Sequence, residues 1–527
     1  MTTPTQEGGQ GGKGGGRKDG GGGRGRRWPG RGQGPRRTAG PTLPRMIAIR
    51  VVERVQRAGA YADLALHHAL VESHLPAADR GLATELVYGT LRWRGRLDYL
   101  IHQALDRDPA KLEPLVASAL RVGAYQLFFS DRIPASAAVD EAVRCARAMG
   151  LERATGLINA VLRRLAREGA EIALPELASD PLGHLVHACS LPVWLAERWL
   201  AELGPEEAAA LATALNAPAP VTARTNRTQI TRAALLEELH ARFPDAVACR
   251  YAPDGIVLGG RGDPGQDPAF LGGRLSLQDE ASQLVVELLD PQPGDRILDT
   301  CAAPGTKTAT IAERLADGAG ASAAGDRGAS PSGGGPSGES PRGESGGGHD
   351  DGSSLGHVLA LDRHPRRLKL VARGIRRLRI GGVATLERDA TKSLEDLLEH
   401  GGPFDRILVD APCSGLGSLR RNPDARWRIQ PRDLAELAVV QRAILESAAA
   451  VLRPGGSLVY STCTLTREEN DEVVRGFLAT RSRWRIASRE EAPDSLRELV
   501  DEGGALRIWP HRHDMDGFFA VRLIKPA

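Results

Sequence analysis

The chain has 527 residues, 41% of them hydrophobic and 26% charged, with a net charge of +3; that length calls for more than one packed core. No apolar run approaches the roughly 20 residues that cross a bilayer, and the N-terminus is glycine and charge rather than an apolar signal core, so a cytoplasmic multidomain protein with no membrane partner is expected. The six cysteines are widely scattered, which argues against a disulfide framework and against a metal site.

In chain order, residues 1–45 come first and hold ten Lys or Arg against Glu7 and Asp19 in a glycine-rich background. Such a segment cannot bury a core and is expected to be disordered. It reads equally as an electrostatic tether to nucleic acid and as a solubilising extension. From 46 to 175 apolar residues recur at helical spacing, as in Leu82-Leu86-Val87-Leu91 and Leu157-Ile158-Val161-Leu162, which predicts an all-α bundle with arginines on its polar faces. Residues 176–275 mix helices at 194–203 and 206–215 with strands at 221–225 and 255–258, a small α+β adaptor. From 276 to 527 strands and helices alternate: R-I-L-D, a helix through Leu315, H-V-L-A-L-D, a helix through Leu378, V-A-T-L-E-R-D, D-R-I-L-V-D, a helix over 433–452, and G-S-L-V-Y-S-T-C. That alternation predicts an α/β Rossmann-like parallel sheet with helices on both faces. Residues 317–354 contain no aromatic residue and no Leu, Ile, Val or Met, and are expected to be a disordered insertion. At least one of Phe518 and Phe519, on an apparent final strand, is expected in the core.

The loop D-T-C-A-A-P-G-T-K-T follows the first strand of the sheet and opens a helix. Its small residues allow close approach to a ligand at free N–H groups, yet it matches neither the dinucleotide fingerprint nor the P-loop. Asp299, Asp362 and Asp389 stand at three successive strand ends. The interval from Asp299 to Asp362 falls close to the roughly 20 residues expected of a ribose-binding acid once the insertion is removed, and Asp389 is placed to reach an adenine ring. A nucleoside pocket follows. Cys413, in D-A-P-C-S-G, and Cys463, in Y-S-T-C-T, each follow a short apolar run. If those runs are neighbouring strands, two thiols meet where open α/β sheets bind ligands. A lone buried cysteine would ordinarily be inert packing. A pair suits methylation of cytosine carbon 5, where one thiolate adds to carbon 6 to activate the ring and the other helps the adduct collapse; Asp410 could relieve charge at ring nitrogen 3. Arg420, Arg421, Arg426 and Trp427 could hold phosphates and stack a base, or simply pack the loop.

The motifs D-T-C-A-A-P-G-T-K-T, A-L-D-R, D-A-P-C-S-G-L-G-S-L-R-R-N-P-D-A-R-W, Y-S-T-C-T-L-T-R-E-E-N and D-G-F-F-A-V-R-L resemble, in order, those of the Sun-type RNA cytosine-5 methyltransferases. V-G-A-Y-Q-L, A-A-V-D-E-A-V and I-N-A-V-L-R-R resemble the NusB-like domain of the bacterial member that methylates small-subunit ribosomal RNA. The resemblance implies a class I methyltransferase sheet behind a NusB-like domain, S-adenosyl-L-methionine as cofactor and RNA, of the ribosomal kind, as partner, with no obligate protein partner. It puts the nucleophile on Cys463 and product release on Cys413. The cofactor contacts fall on Cys301, Ala302, Ala303, Pro304, Gly305, Thr306, Lys307, Asp362, Asp389 and Asp410. Thr306 stands where many relatives have glycine, a costly exchange if that position needs a positive φ. Two alternatives stay open: a noncatalytic RNA-binding adaptor, and a DNA cytosine-5 methyltransferase, a class that normally attacks with the P-C cysteine.

Overall fold

A computed structural model describes residues 42–106, 108–259, 262–323 and 358–527. Residues 1–41 of the basic tail, 324–354 of the insertion and 355–357 beyond it lie outside the described residues. The helix opening the bundle starts at Leu43 and the one leading into the insertion runs to Ala323, so regular structure begins earlier, and persists longer, than composition suggested.

The described residues form one compact unit. Its first part is seven helices: α1 (Leu43–Ala58), α2 (Ala62–Ser73), α3 (Ala77–Arg92), α4 (Arg94–Ala104), α5 (Pro114–Phe129), α6 (Ala135–Ala148) and α7 (Thr155–Glu168). In α7 the spacing works as expected: Ile158, Val161, Leu162 and Leu165 are buried, while Arg163, Arg164 and Arg167 stay on the wet side. The buried residues of this bundle, from Ile47 to Leu165, pack on one another as a core of their own.

Next come the helices Val193–Leu203 and Pro205–Ala214 and an antiparallel sheet of β1 (Thr222–Thr225), β2 (Val247–Ala248), β3 (Gly255–Val257) and β4 (Leu275–Leu277), in the order β2-β3-β1-β4. β4 spans the junction expected at 275–276. It pairs with β1 and so belongs to the smaller sheet.

The last part holds β5 (Ile297–Asp299), β6 (Val358–Asp362), β7 (Val383–Glu387), β8 (Phe404–Asp410), β9 (Leu452–Thr462), β10 (Arg485–Ile486), β11 (Ala505–Ile508) and β12 (Phe518–Ile524). Their order is β10-β12-β9-β8-β5-β6-β7, with β11 also on β12. β5 to β9 are parallel to their neighbours, and β12 runs antiparallel to β9. Chain order reverses between β6-β5 and β8, which opens a crevice at the carboxyl ends of these strands. Phe518 and Phe519 are both buried, each in a different hydrophobic cluster, as neighbouring residues of a strand with two covered faces must be. Among the described residues, no helix is long and apolar enough to cross a membrane.

Candidate active site

The loop after β5 is stitched across the sheet: Thr300 N donates to Leu408 O at 3.0 Å and Ala302 N to Leu361 O at 2.8 Å. Gly305 adopts φ +107°, and a Cβ there would lie 2.9 Å from the Cα of Val371. Glycine is therefore required at 305. Thr306 is the first residue of the helix Thr306–Ala323 and has no positive φ, so the departure at this position carries no backbone cost. Asp299 ends β5 almost without exposure and accepts a hydrogen bond from Thr308 Oγ1 at 2.7 Å. Burial pushes its carboxyl up to about 7. Asp299 thus holds the start of the helix.

A cavity of about 240 Å³ opens at the strand ends, with Cys301, Ala303, Asp362, Asp389, Asp410, Cys413 and Cys463 in its wall. Pro304, Gly305 and Thr306 face a neighbouring groove instead. Asp362 Oδ1 accepts from His364 N at 2.8 Å. Asp389 lies two residues beyond β7, and both its hydrogen bonds, from Thr391 N at 3.0 Å and Thr391 Oγ1 at 2.7 Å, fall on Oδ1. Those bonds hold its carboxyl below the usual range. Carboxylates at the ends of β6 and β7, with apolar Ala411, Val440 and Ile444 opposite, fit the diol, exocyclic amine and flat faces of a nucleoside. The donor set suits the adenosine part of S-adenosylmethionine.

β8 and β9 are adjacent and in register at Asp410 and Ser461, so the turns that follow them meet. Cys413 Sγ lies 3.3 Å from Cys463 Sγ, and neither is in a disulfide. The hydrogen bond to Cys463, then burial, then the charges of Cys463 and Glu469 push the Cys413 thiol well above its ordinary value. Asp410 accepts from Lys307 Nζ at 2.8 Å and from Ser461 Oγ at 2.9 Å. Burial opposes the charge on Lys307, but the Asp410 carboxylate overcomes it and leaves the ammonium above its ordinary value. Lys307 is thus a partner of Asp410 behind the cavity, not a lining residue.

Two further residues shape the site. Glu469, with no exposure, accepts from Ser414 N at 2.8 Å, Ser414 Oγ at 2.6 Å, Thr466 Oγ1 at 2.7 Å and Gln441 Nε2 at 3.1 Å. Asn470 accepts from Thr462 Oγ1 at 2.6 Å and donates to Thr464 O at 3.1 Å. One clamps the turn carrying Cys413 and the other the turn carrying Cys463. The motif R-E-E-N holds both, but spacing alone gave them no role. Main-chain contacts complete the lock: Gly417 N donates to Cys463 O at 3.0 Å and Gly517 N to Gly417 O at 2.9 Å. A Cβ on Gly517 would lie 2.9 Å from the Cα of Gly417.

The four residues expected to contact RNA are used otherwise. Arg426 is fully buried and donates to Ser190 O at 3.1 Å, Asn216 Oδ1 at 2.8 Å and Leu215 O at 3.3 Å. Arg420, also buried, donates to Pro218 O and Asp514. Arg421 is held between Asp279 and Asp516, and Trp427 Nε1 donates to Leu91 O at 2.6 Å. Arg92 reaches back to Arg420 O, also at 2.6 Å. The loop joins the sheet domain to the bundle and the middle segment, and its guanidinium groups are spent on that.

A doubly covered parallel sheet with a nucleoside-sized cavity and a thiol pair at its crevice, behind a helical bundle, defines a Rossmann-like methyltransferase with an appended all-α domain. The family model for 16S rRNA methyltransferase RsmB/F matches residues 286–330 and 352–524, passing over 331–351. The NusB family matches 42–167, and the ferredoxin-like domain of the RsmF/B-like methyltransferases matches 191–263. The chain is 34% identical to the probable ribosomal RNA small subunit methyltransferase B of Bacillus subtilis (strain 168), over 92% of this chain and 99% of that protein. It is 36% identical to the ribosomal RNA small subunit methyltransferase B of Pseudomonas putida, over 90% and 98%. The crystal structure of PH0851 superposes with a TM-score of 0.68 at 25% identity, covering 92% of this chain and all of that one. The chain belongs to the 16S rRNA methyltransferase RsmB/F family.

Proposed function

We propose that this protein transfers the methyl group of S-adenosylmethionine to carbon 5 of a cytosine in small-subunit (16S) ribosomal RNA through a covalent adduct on Cys463. The observation that carries this reading is the thiol pair, 3.3 Å apart at the ends of adjacent parallel strands, in the same cavity as Asp362 and Asp389. The names of the relatives support the ribosomal substrate. S-adenosylmethionine, when bound, supplies a methyl group on a sulfonium as the electrophile, and Asp362 and Asp389 would hold its ribose and adenine.

Cys413, pushed well above its ordinary value, keeps its proton at neutral pH. Cys463 is the nucleophile of the pair, the role that the resemblance of its motif Y-S-T-C-T implies. Its sulfur adds to carbon 6 of the cytosine, and the electrons of the 5,6 double bond become available at carbon 5. Asp410, hydrogen-bonded to the Lys307 ammonium, takes the proton that the Cys463 thiol gives up and passes it to ring nitrogen 3 as negative charge develops there. Once carbon 5 carries the methyl group, its hydrogen leaves as a proton to water, the freed electron pair re-forms the double bond, and the carbon–sulfur bond breaks while ring nitrogen 3 returns its proton through Asp410 to the thiol pair. Cys413, within hydrogen-bond reach, donates its proton to the departing sulfur.

Each thiol is tested by its alanine variant. Cys463→Ala should abolish transfer and adduct formation, whereas Cys413→Ala should attack and then stall, leaving a protein–RNA species that survives denaturing electrophoresis. A trapped species only in Cys463→Ala would move the nucleophile to Cys413 and favour the DNA-type mechanism. RNA binding without methyl transfer by the wild-type protein would favour the adaptor. Bisulfite mapping of ribosomal RNA from a strain lacking the protein locates the target base.

A further inference from the structure

The helix Pro365–Leu378, directly after β6, carries Arg366, Arg367, Lys369, Arg373, Arg376 and Arg377 and no acidic residue. Its apolar residues Leu368, Val371, Ile375 and Leu378 are buried, which fixes what the other side shows. Arg366, Lys369, Arg373 and Arg376 are exposed, and their spacing of three, four and three residues lines them up in one row. At 1.5 Å per residue the row is roughly 15 Å long.

Helix stability does not account for this row. Like charges three and four residues apart repel, and cations in the first turn oppose the helix dipole. Elsewhere the arginines of this chain are commonly matched, as in Arg121 with Asp98, Arg198 with Glu468, Arg242 with Asp267 and Arg406 with Asp295. The two inward-leaning arginines of the helix are also engaged: Arg367 donates to Ala303 O at 2.9 Å and Arg377 to Leu275 O at 2.9 Å. The four in the row make no ion pair or side-chain hydrogen bond with any described residue.

Beside the row is a groove of about 390 Å³ with Phe270, Leu277, Leu370 and Arg373 in its wall, and Leu370 is 44% exposed. The start of the helix borders the active-site cavity, which Arg363 and Arg367 line together with Cys413 and Cys463. An unneutralised row of cations next to an apolar groove, continuous with a nucleobase site, matches an anionic strand with flat, partly apolar bases. We propose that the outer face of this helix docks the phosphodiester backbone of the substrate RNA, flanking the nucleotide that enters the thiol cavity. The inference rests on the RNA reading above.

The test uses the full chain with Arg366→Glu, Lys369→Glu, Arg373→Glu and Arg376→Glu combined, leaving Arg363 and Arg367 untouched. Binding of a labelled small-subunit rRNA transcript is measured across potassium chloride concentrations, with binding of S-adenosylhomocysteine as the control. The slope of log affinity against log salt should shrink by about 3, and affinity at low salt should fall by about 30-fold or more, since each lost phosphate contact removes roughly 0.7–0.9 from the slope. Affinity for S-adenosylhomocysteine should stay within about twofold. If the charge-reversed chain fails to fold by circular dichroism, the four glutamine substitutions should still cost about tenfold in RNA affinity. A folded variant with unaltered affinity and slope would overturn the proposal, and would leave an acidic protein as the surface's partner. A wild-type protein that neither binds nor methylates the transcript would instead sink the functional reading; one that methylates it, matched by the variant, would sink only the docking surface.

Discussion

Asp299 is a carboxyl without water, and its raised value makes stability depend on pH. With its folded value near 7 against about 4 in the unfolded chain, the native state holds the proton more tightly. The associated stability is complete below about pH 4 and is lost as pH rises towards 7, with an upper bound of roughly 4 kcal/mol. Asp299→Asn lacks this loss, so its melting temperature should gain on the wild type between pH 5 and pH 8; a constant difference would show that Asp299 is not protonated at neutral pH. Asp362 is proposed to act on the ligand instead. Asp362→Ala should weaken S-adenosylhomocysteine binding by calorimetry about tenfold or more, the cost of roughly one or two charge-assisted hydrogen bonds, while binding of a nicotinamide cofactor would overturn the pocket assignment. Single residues were unevenly legible in the sequence. Cys413, Cys463 and Asp362 stood out because they follow or end apolar runs, and the structure places all three in the wall of one cavity. Glu469 and Asn470 did not, because their role is to satisfy main-chain and hydroxyl groups in turns whose shape only the fold defines. For the arginines of the loop after Cys413 the sequence left RNA contact and loop packing both open, because a guanidinium that serves carbonyl oxygens looks in sequence the same as one that serves phosphates.

The elements with strong periodicity were legible, and the shortest were not. Four buried parallel strands, β5, β6, β8 and β9, and the long helices declare themselves by apolar runs and 3.6-residue repeats. β2 and β10, at two residues each, are too short to show alternation at all; they form because a neighbouring edge offers hydrogen bonds. The strand order that brings β8 beside β9 follows from right-handed crossovers on a twisted sheet, and from that adjacency follows the thiol contact. What fixes the turn carrying Cys413 is Glu469. Glu469→Ala would strand the Ser414 donors and Gln441, each unsatisfied buried group costing about 1–3 kcal/mol. It should lower stability by about that amount per group and lower kcat more than it raises KM for S-adenosylmethionine. Unchanged kcat in a destabilised variant would mean that the clamp serves folding alone.

Across the whole molecule, the bundle, the middle segment and the sheet converge on the loop at 420–427. Arg426 is its centre: burial brings its guanidinium down to about 9, and carbonyl oxygens with Asn216 are its partners. Arg426→Met keeps bulk but strands those acceptors, and should cost about 3–5 kcal/mol, as for a broken buried polar network. Limited proteolysis should then release the helical domain from the rest; a variant as resistant as the wild type would show that the bundle is held by other contacts. Domain count and order were readable from composition and period, but this junction was not, since its partners lie hundreds of residues apart. That separation also bears on how the protein is made. Arg92 and its acceptor at Arg420 are 328 positions apart, and translation at about 5–20 residues per second puts tens of seconds between their emergence. The bundle has its own core and leaves the ribosome first. It must therefore wait, folded and with its docking face bare, until the active-site loop is synthesised to cover it.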